Sequence, residues 1–287
     1  MAGTGDASRN NKSRASTTVM RRQLGRKLRA MREATGRSRD DVVASRLMSR
    51  SKLESIEHGR TMVRPGDAYE LGRIYGASPE ELETLREMAV ATNQTSWWQG
   101  YSADLTRGFE TYLDLEACAR QLWIYEPAVV HGLVQTEEYA LAVDHAVAGP
   151  GADEALIRNF VELRMTRQRI VWDREPPVRV HLVLGEAALR LRVGDPEVMA
   201  GQRERLRQEG ERENLDLRVL TDEAGPHRGL RGGFAVLDFE DPENPSVVHT
   251  ESRLRARFDD READVAHHRE VYQEIHDKAT PLKEYLA

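Results

Sequence analysis

Apolar residues recur at helical spacing from Met20 onward: Leu24, Leu28 and Met31 stand at i, i+4 and i+7, with arginines on the other faces. Gly36 is a stop signal. Ser38, with Asp41 three residues later, is a cap for a second helix that buries Val42 and Val43. A turn through Arg46 and Leu47 leads to Ser49, a cap for a third helix with Leu53 and Ile56 inward and Gly59 as its end. Pro65 and Gly66 predict a turn, and Asp67 a cap for a fourth helix with Leu71 and Ile74 inward and Gly76 as its stop. Ser78, Pro79, Glu80 and Glu81 combine a capping serine, a proline at the first helical position and a glutamate at the third, so a fifth helix opens there.

After Gln94 the pattern changes to an aromatic-rich stretch containing Trp97, Trp98, Tyr101, Phe109, Tyr112 and Trp123, residue types that more often fill a core than line a cofactor site. Helices are predicted over about 136–148 and, after the loop GPGAD, up to about Trp172, the second laced with Arg158, Arg164, Arg167 and Arg169. Pro176 and Pro177 break that helix. Val178 to Leu184 alternates as a strand does, helices follow near 186–192 and 196–210, and strand-like runs recur at Leu215–Leu220, Phe234–Phe239 and Val247–Thr250. A helix from about Asp260 to Lys278 closes the chain, apolar at Val265, Tyr272 and Ile275. The expected architecture is mainly α in two domains: a five-helix head, then an α+β domain with a small sheet of about four strands. Residues 1–19 read as a disordered arm, 20–92 as the head and 93–287 as the α+β domain.

Charge sharpens this division. Residues 1–64 hold 16 Lys and Arg against 6 Asp and Glu, a balance of +10, whereas the remainder carries −16 of the overall −6. A basic head on an acidic body is the electrostatic footprint of a protein that offers DNA one end of its chain. Cys118 is the only cysteine, which excludes an internal disulfide framework and a cysteine-rich zinc site. No window approaches the ~18 apolar residues of a membrane span, and the first twenty residues lack the apolar core of a secretory signal. A cytoplasmic, nucleoid-associated protein is expected.

The densest chemistry lies in RSRDDVVASRLMSRSKLESIEHG, residues 37–59. A helix that reads the DNA major groove presents short polar or basic side chains at its N-terminal end while its other face docks on the preceding helix. Arg50, Ser51, Lys52 and Ser55 fall on the polar side and are the candidates for base readout. Arg39, Ser49, Arg60, Thr61 and Arg64 stand where phosphate contacts fix register. Residues 24–75 resemble the Xre/Cro class of helix-turn-helix, and MSRSKLESIEHG, Met48 to Gly59, carries the likeness. That class often has glutamine where Arg39 stands; an arginine there retains the capacity to bind phosphate.

Residues 96–280 are similar to the uncharacterised domain that follows such a head in WhiJ-like regulators. The matching runs include WWQGY from Trp97, YLDLEACA from Tyr112, HGLVQTEEYA from His131, RMTRQ from Arg164, LVLGEAALR from Leu182, GDPEVM from Gly194 and GLRGGFAVLDF from Gly229. The family usually has proline at His131 and aspartate at Gly185, and the fold is expected to survive both departures. Members are often encoded beside a very small protein, and some pairs look like toxin and antitoxin. The resemblance therefore implies an antitoxin-like repressor whose partner is that co-encoded protein.

His181, Glu186, His227, His249 and Glu251 are the raw material of acid-base chemistry, but their spacing gives no triad order and no nucleophile turn. His267 and His268 are adjacent on a helix and point about 100° apart, a poor metal pair. GPHRGLRGGF precedes a strand instead of opening a helix, so it reads as a hairpin or a ligand-facing loop rather than a phosphate cradle. No cofactor or metal is expected, and no catalysis. The expected function is transcription regulation by a homodimer on double-stranded DNA. Two other readings stand beside it: a one-component sensor holding a small molecule, and a DNA-tethered enzyme.

Overall fold

The computed structural model describes residues 17–92, 97–101, 109–240, 244–252 and 255–287. The chain divides into two compact units between Gln99 and Gly100. Most of the expected N-terminal arm, residues 1–16, lies outside the described residues, and its last three positions already belong to the first helix.

Five helices make the first unit: α1 (Thr17–Ala34), α2 (Arg39–Ala44), α3 (Arg50–Glu57), α4 (Pro65–Ile74) and α5 (Pro79–Ala91). Their ends follow from local chemistry. Ser38 and Asp41 close a reciprocal capping box on α2, Ser78 and Glu81 another on α5, and the Ser49 hydroxyl accepts the Lys52 N–H at the start of α3. The expected cap at Asp67 is corrected: α4 starts two residues earlier, because Pro65 is already shaped for a first turn, and Asp67 instead pairs with Lys52. Leu24, Leu28, Val42, Leu53, Ile56, Leu71 and Leu85 form one buried cluster, so the apolar face of each helix meets the others. Two glycines set the approach of α1 to α3: a Cβ on Gly25 would lie 2.2 Å from the Ile56 carbonyl oxygen, and one on Gly59 would lie 2.7 Å from the Arg22 Cα.

A buried carboxylate ties this packing together. Glu57, at the end of α3, has no exposed side-chain surface and receives the Nε of Arg32 from α1 at 2.5 Å and that of Arg39 from α2 at 2.8 Å. Arg32 also donates to the Arg37 carbonyl at 2.8 Å, and the bond to Glu57 holds its guanidinium above the usual value.

The second unit is a mixed seven-stranded sheet with helices on both faces, in the order β6-β5-β4-β1-β2-β3-β7. Its strands are β1 (Gln121–Glu126), β2 (Arg179–Gly185), β3 (Leu215–Leu220), β4 (Phe234–Asp238), β5 (Val247–Ser252), β6 (Arg255–Asp259) and β7 (Thr280–Pro281). Strands β1, β2 and β3 run parallel, and β4, β5 and β6 form an antiparallel meander beside β1. The sheet thus exceeds the expected four strands or so. Its central strand was hidden in the aromatic-rich stretch: Leu122 and Ile124 face one side and Trp123 and Tyr125 the other, so both faces are apolar and the alternation disappears. Strands β6 and β7 are short, and β6 is rich in charge.

The helices are α6 (Phe109–Cys118), α7 (Glu137–Ala148), α8 (Glu154–Trp172), α9 (Glu186–Arg190), α10 (Pro196–Glu209), α11 (Glu262–Lys278) and α12 (Leu282–Tyr285). On one face of the sheet Val271, Tyr272 and Ile275 of α11 pack on Tyr125, Val183, Phe234, Val236 and Val248. On the other, Arg167 of α8 forms a bidentate pair with Glu116 of α6 at 2.5 and 2.7 Å, and the Tyr112 hydroxyl donates to the same carboxylate at 2.8 Å. Gly185 ends β2 where a Cβ would lie 2.6 Å from the Pro127 carbonyl oxygen, so the aspartate usual there in the related domain does not fit this backbone. At His131 φ is −64°, the value a proline would impose, so that departure leaves the backbone unchanged.

The head's dependence on Glu57 is testable. Glu57→Ala leaves two guanidinium groups without their buried counter-charge and should cost about 3–5 kcal/mol. Thermal unfolding checks this, and a loss under 1 kcal/mol would show that water replaces the carboxylate.

Candidate nucleic-acid interface and a cavity in the second unit

Helix α3 is short because Ser49 starts it and Gly59, at φ +65°, follows its end. Leu53 and Ile56 point inward, which turns Arg50, Ser51 and Lys52 outward and leaves Ser55 half-buried. The Arg50 guanidinium lies 3.0 Å from Asp40, and the Lys52 ammonium 2.8 Å from Asp67. The first pair is solvent-exposed and the second half-exposed, and a surface pair of this kind is worth about 0–1 kcal/mol, so neither cation is strongly committed. Arg60, Thr61 and Arg64 are exposed just beyond α3. Ser49 is exposed but occupied as a cap. Arg39 is placed differently from a free surface cation: Glu57 holds its Nε, and the side chain is 24% exposed, so only its outer edge is offered to a phosphate. The turn before α3 contains Arg46 at φ +59°, the non-glycine positive φ among the described residues.

The second unit carries a cavity of about 670 Å³ between the sheet and α7 and α8. Strand alternation builds its floor: Ile124 and Glu126 from β1, Ala235 from β4, and His249 and Glu251 from β5 share the face away from α11. Val143, Val147, Leu156, Ile157 and Phe160 supply apolar wall from the helices. Two ion pairs, Glu116–Arg167 and Asp144–Arg164, brace those walls, the latter at 2.9 Å.

The polar groups at this cavity are strongly perturbed. Burial pushes the Glu126 carboxyl up to about 7, against the pull of the Ala128 and Val129 backbone N–H groups. Burial also raises Glu251, with Arg167 acting in the opposite sense. His249 is pushed down to about 3 by burial and then by Arg167, and His131 well below its usual value by burial and nearby cations, so both imidazoles are neutral. Several polar atoms lack partners: Gln135 Oε1, Asp144 Oδ2 and His249 Nε2.

Of the other residues read as acid-base candidates, Glu186 accepts the Asp222 N–H and the Tyr285 hydroxyl, which makes it a bracket between α9 and α12. His181 stacks on Trp123 at 4.2 Å and lies beside Asp216, and His227 sits edge-on to Tyr125. The structure therefore brings His249 and Glu251 together at the cavity and leaves Glu186, His181 and His227 elsewhere. Glu126, Gln135 and Arg167 were missed as site residues. The signal for Glu126 was period two along QLWIYE, which places it on the Leu122 and Ile124 face once the strand is recognised. The glycine-rich run, 225–234, folds through one tight turn, Arg228–Arg231, and Gly233 just beyond it lines the cavity. Tyr112 is buried, while Trp97, Trp98, Tyr101, Phe109 and Trp123 are half-buried.

A second depression of about 690 Å³ lies over α7, α8 and α10. Three of its arginines are already paired: Arg205 and Arg212 both with Glu209, and Arg158 with Glu154.

Carboxyl groups weakened as acids by burial have a consequence for stability. A carboxyl group whose folded value lies above its unfolded one favours the fold at low pH and loses that contribution as pH rises toward 7. Glu126→Gln removes the cost of ionising the buried group. It should raise Tm at pH 8 and leave Tm nearly unchanged at pH 5, a comparison that scanning calorimetry makes directly.

Residues 23–85 match a helix-turn-helix domain. No curated protein and no solved structure matches the chain. Among the described residues, no helix is long and apolar enough to cross a membrane. Residues 109–285 match the domain of unknown function DUF5753, and with well over half of its length inside that match the chain belongs to the DUF5753 family, with a helix-turn-helix DNA-binding domain preceding it.

Proposed function

We propose that this chain is a sequence-specific repressor that reads double-stranded DNA with α3 and is controlled through its second unit. The observation that carries the reading is the division of labour on α3: Leu53 and Ile56 dock inward while Arg50, Ser51, Lys52 and Ser55 stand on the other side, at the groove-facing end of a matched helix-turn-helix. Arg50 and Lys52 are the principal base readers. Arg60, Thr61 and Arg64, with the outer edge of Arg39 and the Ser49 hydroxyl, fix the phosphates. A single head of this size covers one half-site, so the reading includes a homodimer acting on two half-sites about 34 Å apart. It acts in the cytoplasm, on the nucleoid.

Control by a small co-encoded protein follows from the likeness to WhiJ-like regulators, and the acidic balance of the second unit supports a protein rather than a nucleic-acid partner. A second reading, a one-component sensor of a small molecule, is favoured by the cavity with its perturbed and unpartnered polar groups.

Two measurements test these assignments. Arg50→Ala and Lys52→Ala should each weaken operator binding by about 1–3 kcal/mol with the fold intact. Gel-shift titration at fixed salt reads the loss, and unchanged affinity in both places the reading helix elsewhere. Calorimetry of the full chain with the co-encoded protein should give saturable heat, and operator DNA should change that affinity by the same factor by which the partner changes operator affinity. Absence of heat removes the partner.

A further inference from the structure

The cavity has two chemically distinct ends. Its helical side is apolar, with Val143, Val147, Leu156 and Phe160, and Val147 is 82% exposed at its edge. Its sheet side presents the Glu126 and Glu251 carboxylates, neither of which forms an ion pair among the described residues. The cations nearby are committed. Arg167 gives Nε and Nη2 to Glu116, and Arg164 is bonded to Asp144 and reaches the Ala140 carbonyl.

Donors and acceptors are therefore out of balance. Gln135 spends its amide N–H on the Val130 carbonyl at 2.6 Å, and its Oε1, on a side chain only 4% exposed, has no donor. Asp144 Oδ2 is in the same position. His131 uses Nδ1 to accept the Leu133 N–H, which leaves its Nε2 as a donor, and His249 Nε2 is free. Two buried acceptors thus stand open, and beside them lie Glu126, which accepts the Ala128 and Val129 backbone N–H groups, and Glu251, two carboxyl groups with no cation paired to them among the described residues. Buried acceptors without donors cost about 1–3 kcal/mol each, so a ligand that brings N–H groups gains what an acceptor-bearing ligand cannot.

We propose that this cavity is a binding site for a cationic amine with an apolar body, its ammonium held by Glu126 and Glu251 and its body lying against α7 and α8. The proposal rests on the sensor reading only for its biological consequence; the binding chemistry is independent of it. A carboxylate or phosphate ligand would meet two carboxylates with no free arginine. A wholly apolar ligand would leave Gln135 Oε1 without a donor and both carboxylates without a counter-charge. An ammonium supplies that counter-charge to both.

The test uses the full chain and phenylalkylamines from 2-phenylethylamine to 8-phenyloctylamine, each compared with the alcohol and the carboxylic acid of the same length. Isothermal titration should show the amine binding roughly ten- to a hundredfold tighter than its alcohol, with the acid weakest. The other titratable and charged groups that line the cavity with Glu126 are Glu251 and His249 on β5, Tyr125 on β1, His131 after it, Tyr112 on α6, Asp144 on α7, and Arg164 and Arg167 on α8. Because both imidazoles stay neutral, the carboxyl near 7 dominates the titration: amine affinity should rise about tenfold from pH 6 to pH 8, with proton release. Glu126→Gln and Glu251→Gln should each cut the amine-to-alcohol preference about tenfold. Their unfolding at pH 8 reports separately on the fold.

Alcohol or acid binding as tightly as the amine, or no saturable amine binding at any chain length, overturns the proposal. An amine preference that both variants retain places the cation elsewhere and overturns it too. Operator affinity measured with and without the bound amine addresses the sensor reading alone. If the amine binds and operator affinity is unchanged, the ligand assignment stands and the sensor reading falls.

Discussion

A carboxylate that stays ionised away from water needs a counter-charge, and in each unit a guanidinium supplies it between two helices. In the head, Glu57 draws Arg32 from α1 and Arg39 from α2 onto the end of α3. In the second unit, Glu116 draws Arg167 from α8 onto α6, with the Tyr112 hydroxyl as a third ligand. Each pair can be poor as a source of net stability, because desolvating the charges offsets their attraction. Breaking either pair nonetheless leaves an unpaired ion inside the protein. The arrangement therefore fixes which helix faces meet, which is what a reading helix and a cavity wall both need.

This constraint changes how the motif at the end of α3 is understood. Glu57 lies seven residues from Arg50, at the far end of α3, and has no exposed side-chain surface. It acts through position: it holds Arg39 and Arg32 and sets the end of α3 against α1. Gly25 and Gly59 belong to the same design, since each allows a backbone approach that a Cβ would block. The outward residues are left to weak surface pairs with Asp40 and Asp67, which keep the side chains in place without committing them.

The head was legible because its signals are local. Ser38, Ser49 and Ser78 cap the helices they precede, and Gly36, Gly59 and Gly76 each take a positive φ just past a helix end. Asp67 was misread because Pro65 already supplies the start that a capping side chain would otherwise mark. The second unit was legible at α7 to α11 and at β2 to β5, where turns and proline breaks frame the runs, but not at α6, which the aromatic-rich stretch concealed, nor at the short α12. It was not legible at β1, since a strand covered on both sides loses its alternation, and its neighbours β2 and β4 are distant in sequence. That omission concealed the cavity. Its floor is assembled from Glu126, Ala235, His249 and Glu251, residues that only the sheet register brings to one face.

The perturbed groups of that floor call for a compensating occupant. Water can satisfy Gln135 Oε1 and Asp144 Oδ2, and a space of about 670 Å³ admits many water molecules. Water gains nothing, however, from Phe160, Leu156 and Val143, whose apolar surface stays wet at roughly 25 cal/mol per Å². A purely apolar occupant has the converse defect, covering the walls and stranding the acceptors. The two costs are relieved together only by a molecule with an apolar body and a donor-bearing end. The fold thus holds the Glu126 carboxyl, pushed up to about 7 by burial, beside a second raised carboxyl at Glu251, and that makes the cavity responsive to the charge of what enters it.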